Sequence, residues 1–351
     1  MSRTALARML LLVLLVSLIV ACGGASTPQP APQSAEPTQA SAPAEAPAKS
    51  TDKPLRIGFV VKTLTNPFYI KMQAGAEKAA KDYNVELLFQ ASRTELDTEE
   101  FIRIVEDMTQ KKVDGLIAVP GAPQETTPAI QRAIEAGIPV MATETDYPEV
   151  PVITFLGVSN QDAAASIVEY VHNEYVVSRK SIPEKAKVIV LTGVPGYTTT
   201  TNRAEGYHIG LEKYWPEATV VAEQPGNWDR TEGLNVTTNI LQANPDVDVI
   251  FASNDEMALG AAEAVRSASK ADKIVITGFD AILDALAAVK EGRLAATLDQ
   301  GPDRYGYDSV RIMVEHLREG KEFPRTTRQE TPLVTPDNVD EFITKAKEFE
   351  K

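Results

Sequence analysis

The sequence predicts an α/β fold made of two similar units, each a parallel sheet covered by helices on both faces. Three observations predict it. Short apolar, β-branched runs alternate with stretches of helical spacing along most of the chain. The alternation starts afresh after about residue 158, so the pattern occurs twice. Most of the apolar runs also end in a polar turn just before the next helix begins, as strand–turn–helix units do.

The chain has 351 residues, which suits about two folded domains. A hydrophobic content of 43% is enough for proper cores, and aromatics are sparse at 6%. The formal net charge of -14 argues against nucleic-acid binding, which needs clustered Lys and Arg.

The N-terminus reads as an export signal over residues 1–21, with Arg3 and Arg8 followed by an apolar core. That core is too short for a good membrane span. Small residues lead into Cys22 and Gly23, a pattern resembling a bacterial lipoprotein box. Cys22 is the chain's one cysteine, so it has no internal disulfide partner, and lipidation explains its position. Residues up to 54 are dominated by Ala, Pro, Ser, Thr and Gln, and read as a disordered tether.

The first unit begins with a strand over 55–61 and a polar exit at 62–66. Pro67 stands where a helix can begin, and 68–83 has helical spacing. Strands follow at 85–89, 115–119, 138–142 and 153–158, with helices at 97–112 and 124–136. The exits hold Arg93 in the loop 90–96, and Glu144 and Asp146 in the turn 143–146.

The second unit opens with a helix over 160–177. Strands are expected at 186–192, 219–223, 247–252, 273–277 and 294–298, with helices at 203–214, 232–241, 282–290 and 303–319. The strand 247–252 breaks at Ser253-Asn254, and the acidic Asp255-Glu256 begins an Ala-rich helix. Asn254 is a natural cap there, and its amide can also both donate and accept toward a ligand. A last helix is expected with Thr335 as cap and Pro336 at its first position.

Two such units facing each other would bring their strand exits to one cleft. Those exits carry Lys62, Asn66, Phe68, Tyr69, Arg93, Glu144, Asp146, Trp228, Asn254, Phe279, Asp280 and Gln300. Amides and carboxylates grip neighbouring hydroxyls in pairs, and aromatic rings pack against the C–H faces of a sugar. The mixture suits a sugar or polyol. The bland alternatives are a helix-start role for Asp280 and core roles for Phe68, Tyr69 and Phe279.

The body from residue 55 to about 334 resembles the periplasmic sugar-binding proteins of ribose and galactose type, solute receptors of bacterial ABC importers. The resemblance rests on six segments in order: residues 63–69, 203–207 (Arg203 to Tyr207), 228–230, 253–260, 278–280 and 296–300. It implies a periplasmic binding protein-like class I fold, with two Rossmann-like lobes joined by a three-strand hinge that closes on ligand. One lobe would comprise 55–158 with 301–328, the other 159–300 with 329–351. It also implies a monomer, no cofactor, no metal, a transmembrane ABC permease as partner, and ligand contacts from Asn66, Phe68, Tyr69, Trp228, Asn254, Phe279, Asp280 and Gln300, with Arg203 on a matched segment.

The departures are Lys62 in place of a small hydroxyl residue, Glu144-Thr145 in place of an Asp-Arg pair, Thr201 in place of an arginine, and a longer loop around Arg93. Lys62 and Arg93 could read an acidic group. The blander reading, which the sequence favours, has Lys62 paired with Glu144 or facing solvent. A ligand-presenting receptor for a membrane sensor kinase or chemoreceptor would use the same cleft. A transcription regulator is disfavoured by the export signal and the absence of a basic helix-turn-helix segment before Leu55. An enzyme is disfavoured too: no nucleophile–base arrangement or metal-spaced cluster is visible, and His172, His208 and His316 fall on predicted helices.

Overall fold

The computed structural model describes residues 53–348. The export signal, Cys22 and all but the end of the tether lie outside the described residues.

The first sheet holds β1 (Leu55–Val61), β2 (Val85–Ala91), β3 (Gly115–Ala118), β4 (Val140–Thr143), β5 (Phe155–Gly157) and β11 (Thr326–Arg328), in the order β11-β5-β4-β3-β1-β2. Its pairings are all parallel. Four of these strands are mostly apolar because helices cover both faces. Those helices are α1 (Pro67–Asp82), α2 (Thr98–Gln110), α3 (Pro123–Glu135) and, from far along the chain, α9 (Pro302–Glu319).

The second sheet has β6 (Lys187–Thr192), β7 (Thr219–Pro225), β8 (Val249–Ala252) and β9 (Val275–Thr277), ordered β7-β6-β8-β9 and again parallel. Next to β9, a bridge from Thr277 to Ala296 brings in β10 (Thr297–Leu298), which pairs antiparallel with β12 (Leu333–Val334). Its helices are α4 (Asn160–Val171), α5 (Thr198–Tyr214), α6 (Arg230–Ala243), α7 (Asp255–Ser267), α8 (Leu283–Lys290) and α10 (Val339–Glu348). Both sheets are α/β in the doubly wound sense, so each presents its strand exits as one edge.

The chain crosses between the lobes three times: from β5 to α4, from β10 to α9, and from β11 to β12. These crossings form the hinge. The first lobe is locked by a close pair of helices. A Cβ on Gly306 of α9 would run into the Met72 carbonyl of α1, and one on Gly75 into the Asp303 carbonyl. The returning α9 therefore seats directly on the helix whose first turn carries Asn66, Phe68 and Tyr69.

Two local expectations change, and one strand was not expected. The helix over 160–177 is α-helical only to Val171 and continues as a π-helical turn, His172–Ser178. The last helix starts at Val339 rather than at Pro336. Asn338 accepts from the Thr335 N–H and donates to the Leu333 carbonyl, closing a turn that holds Pro336 outside the helix. The edge strand β11 is too short, at 3 residues, to show a hydrophobic pattern.

Candidate functional site

The exits of the two sheets enclose one tight interlobe cavity with a free volume of about 20 Å³. The first lobe supplies Lys62, Asn66, Phe68, Tyr69, Glu95 and Glu144. The second supplies Thr199, Arg203, Trp228, Asn254 and Asp280, and Gln300 comes from the second hinge crossing.

The two asparagines each do two things. The Asn66 side-chain oxygen accepts from the Phe68 N–H at 2.9 Å and caps α1, while its amide nitrogen has no partner among the described residues and the residue lines the cavity. The Asn254 oxygen caps α7 by accepting from the Met257 N–H at 2.9 Å, and its nitrogen donates to the Trp228 carbonyl at 3.1 Å. Asn254 is thus both a cap and a cavity residue.

Arg203 is the densest node. It is only 3% exposed, and its Nε and Nη1 are both engaged. It donates to the Ser253 carbonyl at 2.6 Å and to the Asn160 side-chain oxygen at 2.8 Å. It lies 3.8 Å from the centroid of the Phe279 ring and 5.4 Å from that of Trp228. Its Nη1 is 3.7 Å from Asp280, which also accepts from the Gln300 amide at 2.5 Å. Burial pushes the Asp280 carboxyl well up, and the Arg203 charge opposes that shift.

Behind this layer, Asp255 accepts from Thr297 at 2.7 Å and from the Ile282 N–H at 2.9 Å. It holds the turn that carries Asp280. Burial raises its carboxyl to about 7.

On the other lobe, Lys62 and Glu144 form an ion pair at 2.7 Å, with side chains 3% and 5% exposed. Lys62 also donates to Thr145 at 3.3 Å. The pair neutralises two charges that burial would otherwise make expensive. Lys62 therefore takes the paired arrangement of the two readings the sequence left open.

The backbone is strained where the site is built. Glu144 has φ of 65°, Asn227 52°, Trp228 64°, Asp280 126° and Ala281 54°. Non-glycine residues rarely adopt such values, and they cluster at functional turns. Gly193, at the exit of β6, has no side chain because the Trp228 indole lies where its Cβ would be. The Trp228 indole N–H is buried and finds no acceptor among the described residues.

Three expected site residues do not line the cavity. Arg93 is exposed and turned to the first turn of α2, where it bonds Glu100 at 3.1 Å and Asp97 at 3.2 Å. Those two carboxylates outcompete the cleft for the guanidinium. Asp146 pairs with Arg325 at 2.9 Å and lines a separate groove of about 430 Å³ that shares only Glu144 and Thr199 with the cavity. Phe279 is fully buried under the Arg203 guanidinium rather than facing the free space. Glu95, Thr199 and Asp255 were not legible as site residues.

An interlobe cleft fed by parallel strand exits and crossed by a three-strand hinge defines a bilobal ligand-binding protein. Residues 57–322 match the family described as periplasmic binding protein domain, and the chain belongs to that family. It is 32% identical over 283 residues to the ribose import binding protein of Bacillus subtilis, covering 81% of this chain and 88% of the relative. It is 30% identical over 285 residues to the D-allose-binding periplasmic protein of Escherichia coli, covering 78% and 88%. A solute-binding protein from Actinobacillus succinogenes, solved with D-allose, superposes with a TM-score of 0.75 at 31% identity, covering 82% of this chain and all (100%) of that one.

The buried pair makes a prediction. Lys62→Ala leaves Glu144 buried without its counter-charge and costs about 3–5 kcal/mol in chemical denaturation. The double substitution Lys62→Met with Glu144→Leu recovers most of that loss. Equal losses in the single and double variants would show that packing, not charge pairing, holds this corner.

Proposed function

We propose that this protein is an extracytoplasmic solute receptor that captures a monosaccharide or similar polyol by closing its lobes. It then delivers the ligand to the transmembrane subunits of an ABC importer. The observation that carries this reading is the composition of the cavity. Side-chain amides from Asn66, Asn254 and Gln300 stand with Asp280 around a space flanked by Trp228, Phe68 and Tyr69. Planar amides and a carboxylate match paired hydroxyls, and the rings match the C–H face of a sugar. The Trp228 N–H without a partner is a further donor that a polar ligand could satisfy.

Two of the relatives named above are a ribose import binding protein and a D-allose-binding protein. The relatives are binding proteins, and we read this chain too as a receptor without catalytic activity. Its ligand residues on this reading are Asn66, Phe68, Tyr69, Trp228, Asn254, Asp280 and Gln300, with Arg203 and Phe279 as their support. Residues 55–158 with 301–328 would move as one lobe and 159–300 with 329–351 as the other, as a monomer. A lipid on Cys22 would tether the body to the outer side of the cell membrane through the Pro-rich segment, and more than one acyl chain would make that anchoring stable.

Thermal unfolding of the full chain against a panel of pentoses, hexoses and inositols tests the ligand class. A ligand far above its dissociation constant raises the midpoint by several degrees. Trp228→Ala abolishes the shift without unfolding the protein. Failure of every sugar and inositol to move the midpoint would contradict the reading.

A further inference from the structure

Glu95 belongs to the cavity but not to any of the six segments that carry the family resemblance. It sits on the long loop between β2 and α2 and lines the cavity, and its carboxyl is near enough to Tyr69 and Glu144 for their charges to interact. The cavity holds three carboxyl groups and two cations. Lys62 is committed to Glu144 at 2.7 Å, and Arg203 is the countercharge of Asp280 at 3.7 Å. Glu95 is left over. Its carboxyl makes no hydrogen bond to the protein among the described residues, although Lys62 acts on it at longer range.

The position of Glu95 is fixed from the opposite lobe. Tyr197, at the start of α5, donates its hydroxyl to the Glu95 carbonyl oxygen at 2.5 Å. The Tyr197 ring fills the place where Gly121, just past β3, would carry a Cβ. The same ring lies 5.7 Å from the Lys62 ammonium. A second-lobe residue only 5% exposed is therefore seated in a first-lobe socket. The contact therefore bridges the two lobes.

We propose that Glu95 is a ligand-contacting, specificity-determining residue, set in place on closure by Tyr197, which selects ligands offering hydroxyl or ammonium donors and rejects sugar acids. The inference rests on the sugar-receptor reading above. An ionised carboxylate only accepts hydrogen bonds, so it demands a donor from the ligand. A ligand carboxylate placed there brings like charge and no donor. The groups facing Glu95 are Lys62 from β1, Tyr69 from α1, Glu144 from β4 and Tyr197 from α5. Among these, burial and the Glu144 charge push Glu95 up, to about 7, while Lys62 pulls it down. Selection against acids then strengthens as pH rises through that region, because the protonated carboxyl can donate to a carboxylate and the ionised one cannot.

The test is calorimetric titration of the full chain with matched probes: D-glucose and D-galactose against glucuronate and galacturonate, D-ribose against ribonate. The neutral member of the best-bound pair binds the wild type more tightly, and its advantage grows between about pH 6 and about pH 8. Glu95→Gln, nearly the same shape, cuts that advantage about tenfold and flattens its pH dependence. Tyr197→Phe narrows it in the same direction while the cavity residues stay in place. A wild type that binds but prefers the acid, or a Glu95→Gln variant with unchanged preference and pH profile, overturns this inference alone. A wild type that binds none of the probes and no pentose, hexose or inositol of the wider panel overturns the sugar-receptor reading, and this inference with it.

Discussion

The guanidinium of Arg203 holds the second half of the site together. It joins the exits of β8 and β9, through the Ser253 carbonyl and the Phe279 ring, to Asn160 at the first hinge crossing. Asp280 and Trp228 lie against it. A buried cation with this many fixed partners has little freedom to move. The turn conformations at Trp228 and Asp280, unfavourable for these residue types alone, persist because such a neighbourhood over-determines them. The site is thus preorganised on its second-lobe side before any ligand arrives.

The first-lobe side is organised by charge cancellation. Lys62 and Glu144 offset much of each other's charge in the cleft, although both still act on Glu95. Tyr197 reaches across, and Gln300 arrives on a hinge strand and meets Asp280. Recognition and closure are therefore the same event: the cavity is complete only when residues of both lobes and the hinge are brought together.

Most of this plan is written locally in the chain. The strand exits were legible because each apolar run stops at a polar turn, and Asn66, Trp228, Asn254 and Gln300 stand at such stops. What could not be read involves long-range competition. Arg93 looked like a cleft cation, but Asp97 and Glu100 of the following helix take it. Those partners are 4 and 7 residues away and could have been weighed. Asp146 is drawn off by Arg325, 179 positions along the chain, which no local pattern reveals. Glu95 was hidden because nothing in the loop itself says which of its charges turns inward. The contact that turns it inward comes from Tyr197, 102 residues later. The three-residue strand β11 and the π-helical turn escape for a similar reason, since tertiary packing rather than residue pattern sets them.

The most direct test of the central claim is a crystal structure of the protein with the sugar or polyol that stabilises it most. The account predicts the ring in the cavity beside Trp228, Phe68 and Tyr69, with its hydroxyls on Asn66, Asn254, Asp280 and Gln300. A ligand lodged instead in the neighbouring groove lined by Gln124 and Asn202 would contradict it, as would one bound on an open form with the lobes apart.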